Sequence, residues 1–124
     1  MVRLRRVSEG RVQTVEEALA VLRGEFGCDD GSFLMQLRID LEWDRAAFAR
    51  LEAALRVVCE RYDRREASDE WLTESCRSIP NWVAGHTAHP SFPRPQPESY
   101  YRDSLDRLRA LAAWFLHGVP AEQA

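Results

Sequence analysis

Positions at alternating spacings of three and four, from Leu34 to Tyr62 in the middle of this chain, are apolar with a single exception. This spacing places side chains along one stripe of an α-helix, and so long a stripe is expected to pack against other helices. The series favours a helical fold and predicts a core stripe, which Asp44 alone interrupts with a polar side chain: Leu34, Leu37, Leu41, Phe48, Leu51, Leu55, Val58 and Tyr62.

Asp44 also marks the place where a helix begins. A carboxylate at the N-cap accepts hydrogen bonds from the first free backbone N–H groups of a helix. Trp43 directly before it and Phe48 in the next turn fit a hydrophobic staple. Either one longer helix kinks at this point, or one element ends and a new helix begins. In both cases we predict a helix from Arg45 to about Arg64, followed by a polar link.

Residues 33–42 fit two secondary structures. The alternation of apolar residues from Phe33 to Leu41 is typical of a strand, whereas the spacing of three and four is typical of a helix. A strand needs a partner, and residues 2–7 are a poor one. We expect a helix over 33–42. The alternative is an α+β fold in which residues 2–7 and 33–41 form one short hairpin.

Two further helices have clear starting signals. Thr14 and Glu17 match a capping box, which predicts a helix over Val15–Phe26. Ser68 is a good N-cap for a helix that we expect Pro80 to interrupt, because proline lacks the N–H that the helix needs. Pro80 would then open a second, short helix.

The last helix is predicted from Glu98 to His117. Gly118 fits the position that closes a helix. On its exposed side Asp103 and Arg107 are four residues apart and should form an ion pair. Its buried stripe should contain Tyr101, Leu105, Leu108, Ala112 and Phe115.

The fold predicted from these elements is all-α: a single-domain bundle of four to five helices with a proline-rich extended connector. We expect residues 1–13 to form a flexible N-terminal arm, residues 14–118 the helical domain, and residues 119–124 a C-terminal tail. Four prolines in the eight residues from Pro90 to Pro97 impose an extended course on the connector.

The composition excludes some kinds of catalytic site and argues against some kinds of partner. All 17 basic residues are arginine, so a Schiff-base lysine and a P-loop lysine are excluded; this bias is typical of a G+C-rich genome and favours a bacterial source. The net charge of −3 argues against a nucleic-acid partner. The longest apolar run, Ala110–Leu116, is shorter than the roughly 20 residues of a membrane span, so we expect no membrane partner.

Three cysteines, at positions 28, 59 and 76, form neither a disulfide framework nor a CxxC pattern. Reduced thiols and the lack of an apolar signal segment after the first residues predict a cytoplasmic protein. The nucleotide-binding motifs and the nucleophile-elbow motif are also missing from the sequence, so we expect no cofactor.

The stretch from Trp82 to Tyr101 carries the functional hypothesis. It contains two of the three histidines and four of the six prolines. One interpretation is structural: Phe92 anchors a long connector, and His86 is a core or boundary histidine whose hydrogen bonds are satisfied. The other is a protein-binding face, because a proline-stiffened segment loses little entropy on docking. The partner-binding candidates are Trp82, His86, His89, Phe92, Arg94, Tyr100 and Tyr101.

We therefore predict a small protein-interaction module, an adaptor, inhibitor or immunity-type binder without catalysis of its own, whose partner is another protein. The broad stripe of the 45–64 helix would also suit a homodimer. The alternative is a small metal-dependent or acid–base enzyme that uses His86 and His89. In it, His117 would add a third ligand, since metal sites need three or four.

Overall fold

The computed structural model describes residues 13–62 and 69–120. Over these residues the chain is helical and contains no strand, which confirms the all-α bundle. The predicted arm (except Gln13), residues 121–124 of the predicted tail, and residues 2–7 of the alternative hairpin lie outside the described residues. The helices are α1 (Val15–Phe26), α2 (Phe33–Met35, continued by a π-helical turn Gln36–Asp40), α3 (Arg45–Arg61), α4 (Glu70–Ala88) and α5 (Glu98–His117).

Helix α1 begins at the predicted capping box. The Thr14 hydroxyl accepts a hydrogen bond from the Glu17 N–H at 3.0 Å, and the Glu17 carboxylate accepts one from the Thr14 N–H at 2.9 Å. Two donors that the first turn leaves free are therefore satisfied. The helix ends at Gly27, where an added Cβ would lie 2.8 Å from the Arg23 carbonyl oxygen.

Residues 33–40 are helical, so the strand alternative is wrong for this segment. Ser32 caps the turn by accepting a hydrogen bond from the Met35 N–H at 3.1 Å. The helix then widens into a π turn, and Leu41 ends it in the left-handed conformation, with φ of 52°. The widened turn and positive φ carry Leu41 out of the predicted stripe, and its side chain is 43% exposed.

Helix α3 follows the predicted pattern at its start and centre. Asp44 accepts a hydrogen bond from the Ala47 N–H at 3.0 Å, and the rings of Trp43 and Phe48 have centroids 5.3 Å apart. The helix ends at Arg61, earlier than predicted, because Tyr62 takes an extended conformation. The predicted stripe residues of α3 are buried: Phe48, Leu51, Leu55 and Val58.

Pro80 does not interrupt α4, and this prediction is wrong. The helix runs without a break from Glu70 to Ala88 with Pro80 inside it and buried. A proline within a helix costs about 3 kcal/mol, and burial of its apolar ring in the core offsets part of that cost. Asp69 is the N-cap; the predicted cap, Ser68, lies outside the described residues.

Helix α5 matches its predicted bounds and ends at Gly118, with φ of 83°. Its predicted stripe is buried. Arg107, however, binds Glu52 on α3, with Nε 2.6 Å from the carboxylate, rather than Asp103 on its own helix. A carboxylate on the facing helix gives the guanidinium two N–H contacts, at 2.6 and 3.4 Å, and its hydrogen bond raises the pKa of Arg107.

Helix α3 lies at the centre of the bundle, packed on α1 and on α5, while α4 packs on α5. All five helices contribute fully buried side chains to the core, among them Leu22, Phe33, Leu51, Leu72 and Leu111. This arrangement leaves the end of α2 at the surface beside the second half of α4.

Candidate interaction surface

The predicted partner-binding residues separate into two groups in the structure. Trp82 and His86 lie on the second half of α4, with His89 as its C-cap. Phe92, Arg94, Tyr100 and Tyr101 belong to the connector and the start of α5. The two groups meet where the His86 and Phe92 rings contact each other edge to face, with centroids 5.9 Å apart.

A stacked pair of rings forms the centre of the first group. The ring centroids of Trp82 and His86 are 4.7 Å apart and their planes differ by 11°. Because a carbonyl oxygen only accepts, the Nε2 of His86 donates a hydrogen bond to the Leu37 carbonyl, 2.8 Å away. This bond joins α4 to the π turn of α2 and fixes the imidazole, while the Trp82 side chain remains 36% exposed.

A groove lies on each side of this ring pair. The smaller one has a volume of about 220 Å³ and is lined by Phe26, Cys28, Leu34, Arg38, Ile79 and Trp82. The larger one has a volume of about 420 Å³ and is lined by Leu41, Gly85, His86, His89, Ser91 and Phe92. Trp82 lines one groove and His86 the other, so the stacked pair forms a ridge between them.

Two exposed apolar side chains at the π turn of α2, which His86 contacts through Leu37, were missed as site residues. Ile39 is 67% exposed and Leu41 43% exposed; Ile39 lies between Arg38 and Leu41, which line the two grooves. The available signal was an apolar residue, Ile39, off the helical stripe. We define the Trp82 surface as Ile39, Leu41, Trp82, His86 and His89.

A buried carboxylate holds α2 in place beneath this surface. Glu25, at the end of α1, is buried, and its carboxylate accepts a hydrogen bond from the Phe33 N–H at 2.8 Å. Burial raises the pKa of Glu25, and the hydrogen bond from Phe33 and the nearby Arg50 act in the opposite direction. Glu25 thus satisfies the first turn of the helix that carries Ile39 and Leu41.

The second group holds the connector against the bundle. Phe92 is 6% exposed and Tyr101 is 8% exposed. The Tyr101 hydroxyl lies 2.6 Å from the Thr87 hydroxyl, and the Tyr100 hydroxyl accepts a hydrogen bond from the Trp43 indole at 3.1 Å. These contacts support the structural interpretation of the connector.

Arg94 is exposed, and its guanidinium carbon lies 5.6 Å from the centroid of the Tyr101 ring. This is a cation–π contact rather than an ion pair. A second arginine stacks nearby: Arg45 lies over the Tyr100 ring at 4.0 Å and donates to the Gln96 carbonyl. The connector therefore has an arginine on each of two tyrosines.

The histidines considered as metal ligands do not gather into a cluster. Over the described residues no group of three or more His, Cys, Asp or Glu side chains is placed to hold a metal ion, and this includes His86, His89 and His117. The Nδ1 of His89 accepts a hydrogen bond from the Ser91 N–H at 3.0 Å. One ring nitrogen of His86 and one of His89 are therefore already engaged within the fold.

A third groove, of about 650 Å³, lies between α1 and α3. It is lined by Gln13, Glu17, Ala20, Val21, Arg50, Ala53 and Val57. Its lining includes alanine and valine but no aromatic side chain, and aromatic side chains anchor most strong protein contacts.

In the part of the chain that the structure describes, no helix has the length and apolar character needed to cross a bilayer.

Comparisons with protein-family models, with curated protein sequences and with solved structures returned no match.

Proposed function

We propose that this chain is a small protein-interaction module, an adaptor, inhibitor or immunity-type binder without catalysis of its own, and that it binds another protein through the Trp82 surface. The observation that carries the proposal is the clustering of exposed apolar side chains. Large apolar side chains that the described residues leave exposed are Ile39, Leu41, Trp82 and Val119. Trp82 is one ring of the ridge, Leu41 lines a groove together with His86, and Ile39 lies on the same turn, two residues before Leu41.

Exposed apolar side chains are common singly, but a cluster beside grooves marks an interaction site. Tryptophan is the side chain most enriched at positions that dominate binding energy. Here the indole is already ordered by its stacking on His86, and His86 is fixed by Leu37. Binding would therefore lose less side-chain entropy than it would at a free tryptophan.

The backbone of α2 supports the same surface. Its π turn and the left-handed Leu41 are costly conformations, and such features concentrate at functional sites. We propose a cytoplasmic, bacterial setting, which the three free cysteines support, because disulfides form in oxidising compartments.

Photo-crosslinking tests the proposal. A benzoyl-phenylalanine at position 39 should form a specific adduct with a protein in a lysate of the source cells. Excess unlabelled wild-type protein should abolish the adduct, whereas a Trp82→Ala competitor should not. The matched control places the same group at Ala113, an exposed position on α5, which contributes no residue to either groove.

The Trp82→Ala competitor needs a control that shows whether the loss of any exposed apolar side chain weakens competition. A Val119→Ser protein removes an exposed apolar side chain away from the ridge and should compete as well as wild type. Equal competition by the Trp82→Ala protein, folded as judged by circular dichroism, would contradict the proposal.

A further inference from the structure

We infer that the partner segment is an amphipathic helix with two apolar side chains seven residues apart and a carboxylate beside the first; this rests on the proposed function of the Trp82 surface. The inference comes from the thickness of the ridge, the charge of the groove walls and the open floor of the larger groove.

The ridge sets the spacing of the two apolar side chains. Its two rings are stacked with centroids 4.7 Å apart. A side chain packs about 3.5–4 Å from the atoms it contacts, so side chains on opposite sides of the ridge lie roughly 12 Å apart. Two turns of α-helix rise about 10.5 Å over seven residues, which brings positions i and i+7 to the two grooves.

The walls of the grooves set the charge. Arg38 lines the smaller groove, and its guanidinium donates to the Cys28 sulfur at 4.0 Å. His86 and His89 line the larger groove, and neither groove has a carboxylate among its lining residues. A carboxylate on the partner, next to the side chain that enters the smaller groove, would complement Arg38.

The larger groove has a bare helix backbone as part of its floor. A Cβ added at Gly85 would meet no atom within 4 Å. This open floor accepts a large side chain such as Leu, Met or Phe. An extended partner strand fits less well, because the described residues offer no sheet edge to pair with.

Selection from a peptide library tests the inference. The probe is a display library of peptides of about 18 residues, five helical turns, on an alanine- and glutamine-rich helical frame with one face randomised. Selection on the wild-type protein should enrich sequences with apolar residues at i and i+7 and with Asp or Glu within one turn of the first. A parallel library of extended, proline-containing peptides should enrich nothing.

Variants then assign the contacts. Arg38→Glu should weaken the selected peptide by about tenfold, and a peptide whose acid is changed to Arg should regain that factor on the Arg38→Glu protein. Gly85→Leu, which fills the larger groove, should weaken it by a similar factor, while Val119→Ser should bind as wild type does. Circular dichroism confirms that each variant is folded.

Four results would overturn the inference: enrichment of extended peptides, enrichment of helical peptides without the seven-residue spacing, failure to enrich any helical peptide, or no recovery of affinity on charge exchange. In each of these cases the photo-crosslinking experiment tests the proposed function separately. If the Trp82→Ala protein fails to displace the crosslinked partner, the proposed function stands although the helix inference has failed.

Discussion

The imidazole of His86 donates a hydrogen bond to the carbonyl oxygen of Leu37, 2.8 Å away. This contact joins residues 49 positions apart and makes the Trp82 ridge a joint product of α2 and α4. A helix that carries Trp82 alone would present a mobile indole. The bond to Leu37 turns it into a fixed wall between two grooves.

The first prediction separates the two roles of His86. His86→Ala removes both the hydrogen bond and the stacking on Trp82, and should lower the free energy of unfolding by about 1–2 kcal/mol. His86→Phe keeps an aromatic ring but leaves the Leu37 carbonyl without its donor. Urea titration should place its stability between wild type and His86→Ala, and equal stability of all three proteins would contradict the assigned contacts.

The second prediction concerns Gly85. Glycine within a helix costs about 1 kcal/mol relative to alanine, and an added Cβ at this position meets no atom within 4 Å. Gly85→Ala should therefore stabilise the protein by about 1 kcal/mol, measured as a higher urea midpoint at an unchanged slope. A destabilised variant would show that α4 needs flexibility at this position.

The third prediction is a pH dependence from Glu25. Burial raises its pKa above the ordinary value of 4.5, so the folded state holds this proton more tightly than the unfolded chain. Relative to Glu25→Gln, the wild-type free energy of unfolding should rise as the pH falls from neutral toward 4.5. Urea titrations of both proteins along this interval measure the difference, and a difference that shrinks on acidification would contradict the shift.

The fourth prediction concerns Tyr62, which joins the end of α3 to the start of α4. Its hydroxyl donates to the Asp69 carboxylate at 2.7 Å, and burial together with this bond raises the pKa of Tyr62 to about 12. The stabilisation is present below pH 10, the ordinary value, and is lost as the pH rises through about 12. Ultraviolet titration, with Tyr62→Phe to assign the signal, should show one late phenolate that Asp69→Asn moves to lower pH.

The fifth prediction concerns the ion pair between α3 and α5. The side chains of Arg107 and Glu52 are partly exposed, at 43% and 21%, so the coupling should be about 0.5 kcal/mol. A double-mutant cycle with alanine at both positions measures it in urea, and high salt should reduce it. A double-mutant cycle between Arg107 and Asp103 is the control. A coupling energy larger than that between Arg107 and Glu52 would favour the ion pair that the sequence predicted within α5.

Sequence signals predicted those parts of the fold that local chemistry decides. The Thr14 capping box defined α1 and Gly118 closed α5, because both signals act through hydrogen bonds or backbone freedom within one turn. The local rule gave a wrong prediction at Pro80. The hydrogen bond that proline removes is local, whereas the burial of its ring depends on helices distant in sequence.

The candidate site was predictable in part for the same reason. Trp82 and His86 share one helix face, which their spacing shows. Ile39 and Leu41 are part of the Trp82 surface because α2 contains a π turn and ends in a left-handed residue. A prediction from α-helical periodicity includes neither feature. Phe92 and Tyr101 are aromatic like the exposed tryptophan, and only burial distinguishes an anchor of the connector from a side chain that faces a partner.

The π turn of α2 has a consequence for how such a surface is acquired. A π turn is an α-helix with one residue added to a single turn, which is what the insertion of one codon produces. Removing one residue from Gln36–Asp40 would restore the α-helical pattern and rotate the positions that follow by about 100°. Ile39 and Leu41 would then leave the positions that they have in the present turn, so we expect one inserted or deleted residue in this turn to create or abolish the exposed apolar pair.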